Sequence, residues 1–257
     1  MNASTSTLMP LFGPAHLIPV LLLVLFVGFL VYAKKSSDEQ GSHDRLGRIL
    51  AWVIFFNFPI YVALQLLDGT ITWDTALPLY PCPLASLMAP LLVRSNNRTF
   101  FNVIFYWVFA GTLQAVITPE VTSTFPHYQY FYFWICHAGL LGLLCFLLIN
   151  QEREPTARGI IPAFAWFNVM VVISLVVNTL TGSNYYYLKA KPIVPSLMDY
   201  LGPWPWYILG VEGVALVFFS LSFGVFWVLK RKIFRSSDVV SESLSASFVP
   251  ASNLPRS

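Results

Sequence analysis

The stretch A-H-L-I-P-V-L-L-L-V-L-F-V-G-F-L-V-Y-A-K-K, residues 15–35, carries no Lys, Arg, Asp or Glu before Lys34. About 20 apolar residues in a helix are long enough to cross a bilayer, so this stretch predicts a membrane span. Similar runs recur along the 257-residue chain, which is 56% hydrophobic and 11% charged, whereas soluble domains carry about 25% charged residues. The sequence therefore predicts an all-α, polytopic membrane protein and excludes a soluble globular domain.

Seven runs qualify as spans and predict a seven-transmembrane-helix bundle. They cover residues 15–33, 47–67, 78–93, 99–117, 128–149, 160–181 and 206–229. We expect residues 1–235 to form this single transmembrane domain. Residues 236–257 are rich in Ser and also contain Pro and Asn, and we expect them to form a disordered cytoplasmic tail.

The distribution of Lys and Arg predicts the orientation. Thirteen of the 15 basic residues lie in alternate connections or after the last span, and only Lys189 and Lys191 lie on the other side. The positive-inside rule then places the N-terminus outside and the C-terminus in the cytoplasm. We expect a multi-pass protein of the plasma or inner membrane if it is bacterial, and of an endomembrane if it is eukaryotic. Basic residues confined to short segments beside spans argue against a nucleic-acid partner, and the oligomeric state stays open.

The sequence predicts neither a metal site nor a cofactor. It contains no CxxC, HExxH, GxGxxG or P-loop motif. The three cysteines, Cys82, Cys136 and Cys145, all fall within predicted spans, which argues against a disulfide framework.

The third span is short and rich in proline, with Pro78, Pro81, Pro83 and Pro90. Pro is poorly tolerated inside a helix but is accepted in its first turn. We therefore expect residues 77–81 to be extended and a helix to begin near Cys82 or Pro83. Such non-helical backbone at membrane depth persists only when it is buried in protein or lines a cavity, which predicts a cavity beside Cys82.

Cys82 and His137 are predicted to lie at the same depth. At 1.5 Å per residue, Cys82 lies roughly 18 Å above Arg94, and His137 roughly 20 Å above Asn150. A cysteine in the first turn of a helix has its thiolate favoured, so the two form a candidate nucleophile and base. The alternative is a small packing cysteine and a histidine in an ordinary interhelical hydrogen bond.

A second polar layer is predicted near the outer surface. Gln114, Asn178 and Glu212 lie roughly 24, 30 and 27 Å above their cytoplasmic connections. With His16, Thr118, Asn184, Lys189 and Lys191 they would ring the mouth of a central cavity. We expect the carboxylate of Glu212 to pair with Lys189 or Lys191. Hydrogen bonds between helices are the alternative for Gln114 and Asn178.

The outer loop at 182–205 combines many aromatic residues with Gly and Pro. Aromatic residues anchor segments at the headgroup level, so the loop predicts a rigid cap over the bundle. A lid or a substrate-binding segment is the alternative, and the two roles are compatible.

Five strings of this sequence match a family pattern. They are L-P-L-Y-P-C at 77–82, G-T-L-Q-A-V-I-T-P at 111–119, F-W-I-C-H-A-G at 133–139, T-G-S-N-Y-Y-Y-L-K-A-K-P at 181–192 and Y-L-G-P-W-P-W-Y at 200–207. The chain thus resembles the YwaF-like family of integral membrane proteins, which is related to eukaryotic transmembrane protein 164. For the eukaryotic branch the resemblance implies an ether-phospholipid acyltransferase in which a cysteine and a histidine carry the chemistry. Two departures stand beside Cys82: Tyr80 replaces a histidine common in the family, and Pro83 replaces a polar residue.

These observations lead to a functional hypothesis. The protein is a membrane-embedded acyltransferase or transacylase that moves a fatty acyl chain between phospholipids, or onto a lysophospholipid, through a thioester on Cys82 with His137 as base. The predicted substrate-binding residues are Tyr80, Gln114, Asn178, Asn184, Lys189, Lys191, Tyr207 and Glu212. Gln114 or Asn178 would donate to the oxyanion, and Lys191 would hold the phosphate. The alternative is a non-enzymatic transporter or receptor-like protein with an outward-facing polar cavity.

Overall fold

In a computed structural model the chain is described over residues 9–36, 40–119, 121, 123–192 and 197–247, with the side chains of 35, 36, 40–44 and 232–247 left out. Every regular element within these ranges is a helix, which confirms the all-α fold class. The α-helices are α1 Pro14–Ser36, α2 Gln40–Asp68, α3 Trp73–Ala76, α4 Pro81–Arg94, α5 Arg98–Trp107, α6 Leu113–Ile117, α7 Tyr128–Asn150, α8 Ile160–Thr181 and α9 Trp206–Ser247. A π-helix, Val108–Thr112, joins α5 to α6, and 3-10 helices lie at Ala157–Gly159, Tyr185–Tyr187 and Leu197–Tyr200.

Seven helical segments of the described chain are long and apolar enough to cross a bilayer, which confirms the predicted seven-helix bundle. They are Pro14–Lys34, Arg45–Asp68, Trp73–Arg94, Arg98–Ile117, Tyr128–Asn150, Ala157–Thr181 and Trp206–Arg231. The third span consists of α3 and α4, and the fourth consists of α5, the π-helix and α6. The outside position of the N-terminus and the identity of the membrane stay predictions.

The fourth and fifth spans form the centre of the bundle. Within an apolar stretch of 18 residues from each of these two spans, 56% and 50% of the residues are buried, against 11% or less in the first, sixth and seventh spans. Phe105 and Tyr106 of the fourth span and Leu140, Leu143 and Leu144 of α7 are inaccessible. The peripheral spans present Leu, Ile and Val outward, which costs little because lipid tails are equally apolar.

The third span is broken, as its prolines predict. α3 ends at Ala76, residues 77–80 are not helical, and α4 begins at Pro81. Tyr80, the residue before α4, has extended backbone with φ −68° and ψ 150°. Proline is accepted at this position because N–H groups in a first turn have no acceptor within the helix. Cys82 is therefore the second residue of α4, close to the predicted start.

A single side chain closes the other end of α4. The guanidinium of Arg153, in the connection between α7 and α8, donates to the carbonyl oxygens of Leu92, Ser95 and Val93 at 2.6, 2.7 and 2.9 Å. These carbonyls lie at the end of the helix, where no intrahelical donor is left, and the helix dipole favours a cation there. Arg153 thereby holds α4 in place along its axis.

Two ion pairs attach peripheral helices to the same connection. Lys34 of α1 lies 2.8 Å from Glu152, and Lys230 of α9 pairs with Glu154. The hydrogen bond from Lys34 keeps the pKa of the Glu152 carboxyl below its usual value. The connection between α7 and α8 therefore contacts α1, α4 and α9 at one end of the bundle.

The last helix is longer than the sequence predicted. The disordered tail was expected from residue 236, whereas α9 continues to Ser247. Residues 236–247 contain neither Gly nor Pro, so nothing in their backbone chemistry ends the helix there. Residues 248–257 lie outside the described part of the chain, and their disorder stays a prediction.

Candidate functional site

Cys82 lies where three helical segments meet. Its Sγ is 3.1 Å from Oγ1 of Thr112, the last residue of the π-helix. One turn along α4, Ser86 donates to the carbonyl oxygen of Cys82 at 3.0 Å and lies 3.3 Å from Sγ of Cys136 on α7. The thiol is thus linked directly to the fourth span, and its helix is linked to the fifth.

The π-helix is what brings Thr112 to the thiol. Inside a regular α-helix a threonine hydroxyl commonly bonds to the carbonyl oxygen four residues earlier. Here the hydroxyl of the fully buried Thr112 is directed at Cys82. π-helices are rare and occur frequently at functional sites. A hydroxyl at this distance can donate to a thiolate, and it is the nearest polar partner of Cys82.

The start of α4 leaves a single N–H group beside the thiol. Pro81 and Pro83 have no backbone N–H, and the N–H of Leu84 donates to the carbonyl oxygen of Tyr80 at 3.1 Å. The backbone N–H of Cys82 has no acceptor among the described residues. The helix dipole is positive at this end, so negative charge on the sulfur or on a bound oxyanion is favoured.

The hydrogen bond made by His137 identifies which ring nitrogen carries the proton. Nδ1 lies 2.8 Å from the carbonyl oxygen of Phe133, and the imidazole ring lies against the Phe133 ring, tilted by 30°, with centroids 4.3 Å apart. Because a carbonyl only accepts, Nδ1 carries the proton and the neutral ring leaves a lone pair on Nε2. A histidine in this tautomer can act as a base through Nε2.

The proposed pairing of Cys82 with His137 stays a prediction. In the described part of the chain, no hydrogen bond joins the two side chains. The helices that carry them, α4 and α7, are in contact at Ser86 and Cys136, and Cys136 is the residue before His137. The segment of α7 that carries the histidine therefore packs beside α4, one turn from the cysteine.

Aromatic side chains from the outer loop cover this region. The Tyr80 ring lies 5.2 Å from that of Tyr185 and 5.7 Å from that of Tyr186. Tyr186 and Tyr187 have φ of 57° and 54°, the left-handed region that costs a non-glycine residue energy. The hydroxyl of Tyr186 is buried without a partner among the described residues. An unpaired buried hydroxyl held by strained backbone is a candidate ligand-binding group.

Tyr185 connects the outer loop to the break in the third span. Its hydroxyl donates to the carbonyl oxygen of Trp73 and accepts from the N–H of Leu77 at 3.1 Å. Asn178 holds the backbone of Tyr185 from the other side, accepting from its N–H at 2.8 Å and donating to its carbonyl at 3.0 Å. These bonds satisfy backbone groups that would otherwise be unpaired within the membrane.

Most of the other predicted binding residues stabilise the same loop. Asn184 donates its backbone N–H to Asp74 at 2.6 Å, and its side-chain oxygen accepts from the N–H of Lys189 at 2.9 Å. The ammonium of Lys189 donates to the carbonyl oxygen of Asn178 at 3.0 Å. Gly182, with φ 79°, ends α8 in a conformation that glycine adopts without strain.

The outer loop also contacts the start of α9. The ammonium of Lys191 lies 5.3 Å from the ring centroid of Tyr207, and the Tyr207 hydroxyl donates to the carbonyl of Tyr187. The indole N–H of Trp204 donates to the carbonyl of Leu188 at 3.0 Å. These contacts tie the loop to α8 and α9, and its role as a rigid cap or as a lid stays a prediction.

One prediction about the outer layer differs from the structure. Glu212 was expected to pair with Lys189 or Lys191, but Asn168 donates to its Oε2 at 3.0 Å. The ammonium of Lys189 donates to the carbonyl of Asn178, and that of Lys191 lies over the ring of Tyr207, which explains why neither lysine pairs with the carboxylate. The side chain of Gln114 is exposed, and its role in substrate binding stays a prediction.

Two further residues were expected at the mouth of the cavity. His16 donates through Nε2 to the carbonyl of Val116 at 2.9 Å, which joins α1 to α6. The hydroxyl of Thr118 donates to the carbonyl of Gln114 at 3.0 Å. Both residues make structural contacts. No three His, Cys, Asp or Glu side chains of the described chain are grouped as metal ligands.

Comparisons with known proteins agree with the resemblance seen in the sequence. The sequence model of the TMEM164 family matches residues 11–223, well over half of the chain. A protein of Treponema pallidum (strain Nichols), described only as uncharacterized, is 25% identical over 182 residues, 71% of this chain and 76% of that protein. No solved structure matches the chain.

Proposed function

The chain belongs to the TMEM164 family, and on that premise we propose that it is a membrane-embedded acyltransferase acting on phospholipids. Cys82 is the nucleophile and His137 the base. The substrates are an acyl-donating phospholipid and a lysophospholipid acceptor within the bilayer.

The first half-reaction forms a thioester. Nε2 of His137 takes the thiol proton, and the sulfur of Cys82 attacks the ester carbonyl of the donor lipid, forming a C–S bond. When the tetrahedral intermediate collapses, the C–O ester bond breaks. The departing alkoxide takes the proton from the imidazolium and leaves as a lysophospholipid.

The second half-reaction reverses these roles. His137 takes the proton of the acceptor hydroxyl, whose oxygen attacks the thioester carbonyl and forms a new C–O bond. The C–S bond breaks, and the thiolate of Cys82 recovers the proton from the imidazolium. No water enters the reaction, which suits a site inside the hydrocarbon layer.

Two donors can stabilise the oxyanion of both intermediates. The backbone N–H of Cys82 has no acceptor among the described residues, and the buried hydroxyl of Tyr186 likewise has no partner there. Donors of this kind are aimed where charge develops and contribute strongly to rate. They replace Gln114 and Asn178 in the hypothesis, because Gln114 is exposed and Asn178 is bonded to Tyr185.

The observation that carries the proposal is the contact between Cys82 and Thr112. A packing cysteine needs only apolar neighbours, whereas this thiol lies 3.1 Å from a hydroxyl that the π-helix directs to it, in the first turn of a half-helix. The tautomer of His137 adds a base with a free lone pair one helix away. In unliganded enzymes, catalytic hydrogen bonds are often long and shorten only when substrate binds.

Mass spectrometry tests the nucleophile. Protein incubated with a phosphatidylcholine donor should carry an acyl group on Cys82 that hydroxylamine removes. Cys145→Ala, a half-buried cysteine of α7, serves as the matched control and should retain the adduct. Cys82→Ala should abolish both the adduct and acyl transfer to a lysophospholipid. His137→Gln should lower adduct formation at least about a hundredfold. Full transfer by a folded Cys82→Ala protein would overturn the proposal.

The polar network of the outer loop supports this proposal over a transporter or receptor. For that alternative, the sequence analysis expected an outward-facing cavity whose mouth is ringed by eight polar residues, among them Asn178, Asn184, Lys189 and Glu212. In the structure the side chains of Asn178 and Asn184 are bonded to the loop backbone, Lys189 is bonded to the carbonyl of Asn178 in α8, and Glu212 is bonded to Asn168.

A further inference from the structure

A groove runs along the outside of the bundle between α2 and α7, apart from Cys82. Its volume is about 860 Å³, within the range of small-molecule sites. Its lining from α2 is Arg45, Arg48, Ile49, Trp52, Val53, Phe56, Asn57, Ile60, Tyr61 and Leu64, and its lining from α7 is Tyr128, Phe131, Tyr132 and Ile135. The cavity predicted from the sequence was expected at Cys82, and neither Cys82 nor His137 lines this one.

We propose that this groove binds an anionic glycerophospholipid, with its phosphate at Arg45 and Arg48 and one acyl chain along Trp52, Val53 and Phe56. The site is separate from the proposed reaction, and it holds whether or not Cys82 is a nucleophile.

Charge at one end of the groove selects the headgroup. Arg45 and Arg48 are exposed and lie one turn apart at the end of α2 that the positive-inside rule assigns to the cytoplasmic surface. Guanidinium groups bind phosphate oxygens in a bidentate geometry, and basic pockets beside membrane helices bind anionic headgroups. The remaining lining residues are almost all apolar or aromatic, which suits an acyl chain.

Contacts between α2 and α7 hold the surface of the groove in a fixed arrangement. The rings of Tyr61 and Tyr132 stack in parallel with centroids 3.7 Å apart, and Asn57 donates to the carbonyl of Tyr132 at 3.0 Å. These contacts join α2 and α7 through residues that line the groove. A fixed concave surface loses less entropy on binding than a surface that must first become ordered.

The lining argues against a second protein helix as the occupant. Helices associate in membranes through small residues, Gly, Ala and Ser, which let backbones approach closely. None of the 14 lining residues is small. Trp52 and Phe56 would hold another backbone away, whereas a flexible acyl chain fits between such side chains.

Quenching of tryptophan fluorescence by brominated lipids tests the site. Trp52 lines the groove and Trp166 of α8 does not, yet their side chains are similarly exposed, 49% and 54%. The full-length protein is placed in phosphatidylcholine vesicles containing one-tenth brominated phosphatidylglycerol or one-tenth brominated phosphatidylcholine. Differences from Trp52→Phe and Trp166→Phe isolate the two signals.

Brominated phosphatidylglycerol should quench Trp52 at least about threefold more than brominated phosphatidylcholine does, and should quench Trp166 equally in both lipids. Arg45→Gln/Arg48→Gln should remove the preference at Trp52, because each arginine near the surface strengthens binding several-fold. The matched variant Arg94→Gln/Arg98→Gln should retain it.

Three results would overturn the proposal. Equal quenching of Trp52 by the two lipids, with both arginines present, would show that the groove makes only ordinary contact with lipid. This outcome does not depend on whether the arginine variants fold. A preference that survives removal of both arginines would place the headgroup elsewhere. Shielding of Trp52 from both lipids would show that a protein surface covers the groove.

Discussion

Replacing Arg153 with Gln should destabilise the protein through α4. The guanidinium donates to three carbonyl oxygens at the end of this helix. A hydrogen bond involving a charged group contributes about 1.5–3 kcal/mol. Arg153 is half-buried, so water can replace part of this interaction, and we count two bonds at the lower value. The expected loss in the free energy of unfolding is about 3 kcal/mol.

Thermal unfolding in detergent measures this loss. For a chain of this size, about 1 kcal/mol shifts Tm by roughly 2–4 °C, so Arg153→Gln should lower Tm by about 6–12 °C. Arg153→Lys keeps the charge but lacks the planar donor fork, and should recover less than half of the loss. Arg158, exposed in the same connection, is the control, and Arg158→Gln should change Tm by less than about 2 °C. A Tm for Arg153→Gln equal to that of the control would refute this account of how α4 is held.

Three other substitutions have distinct expected outcomes. Tyr185→Phe removes the hydroxyl between the outer loop and the break and should cost about 1–3 kcal/mol in thermal unfolding, with an unchanged Tm counting against that link. Tyr186→Phe removes a buried hydroxyl without a partner, so stability should be equal or higher while acyl transfer falls at least about tenfold. Full acyl transfer by this variant would reduce Tyr186 to a packing role. Gly159→Ala would place a Cβ within 2.7 Å of the Asn102 side chain and should cost more than about 2 kcal/mol, whereas Gly213→Ala, which meets nothing within 4 Å, should cost nothing. Equal losses in the two variants would contradict the close packing at Gly159.

The seven spans and the broken third span were predictable because each rests on a local property of the sequence. Apolar length and charge spacing determine where a helix crosses a bilayer. Pro78, Pro81 and Pro83 removed the possibility of a continuous third helix. These rules need no knowledge of which helices are neighbours.

The partners of individual polar side chains were harder to predict. Thr112 was missed because nothing in the residues at 108–112 marks them as a π-helix, and its contact with Cys82 depends on that geometry. Lys189 or Lys191 was expected to pair with Glu212 on charge alone, although the ammonium of Lys189 donates to the carbonyl of Asn178 near the end of α8. The direction in which a side chain points depends on tertiary packing, which a count of residues along each helix does not supply.

The π-helix at Val108–Thr112 has a consequence for comparing relatives of this protein. A π-turn contains one residue more than the α-turn it replaces, so it behaves as a single inserted amino acid. Residues after it, from Leu113 onward, are rotated by about 100° relative to an uninterrupted helix. A relative without this insertion would direct a different side chain to its cysteine even if the neighbouring residues were identical. Alignments across the fourth span should therefore place any one-residue gap at 108–112, since a gap elsewhere would pair Thr112 with a residue on another face.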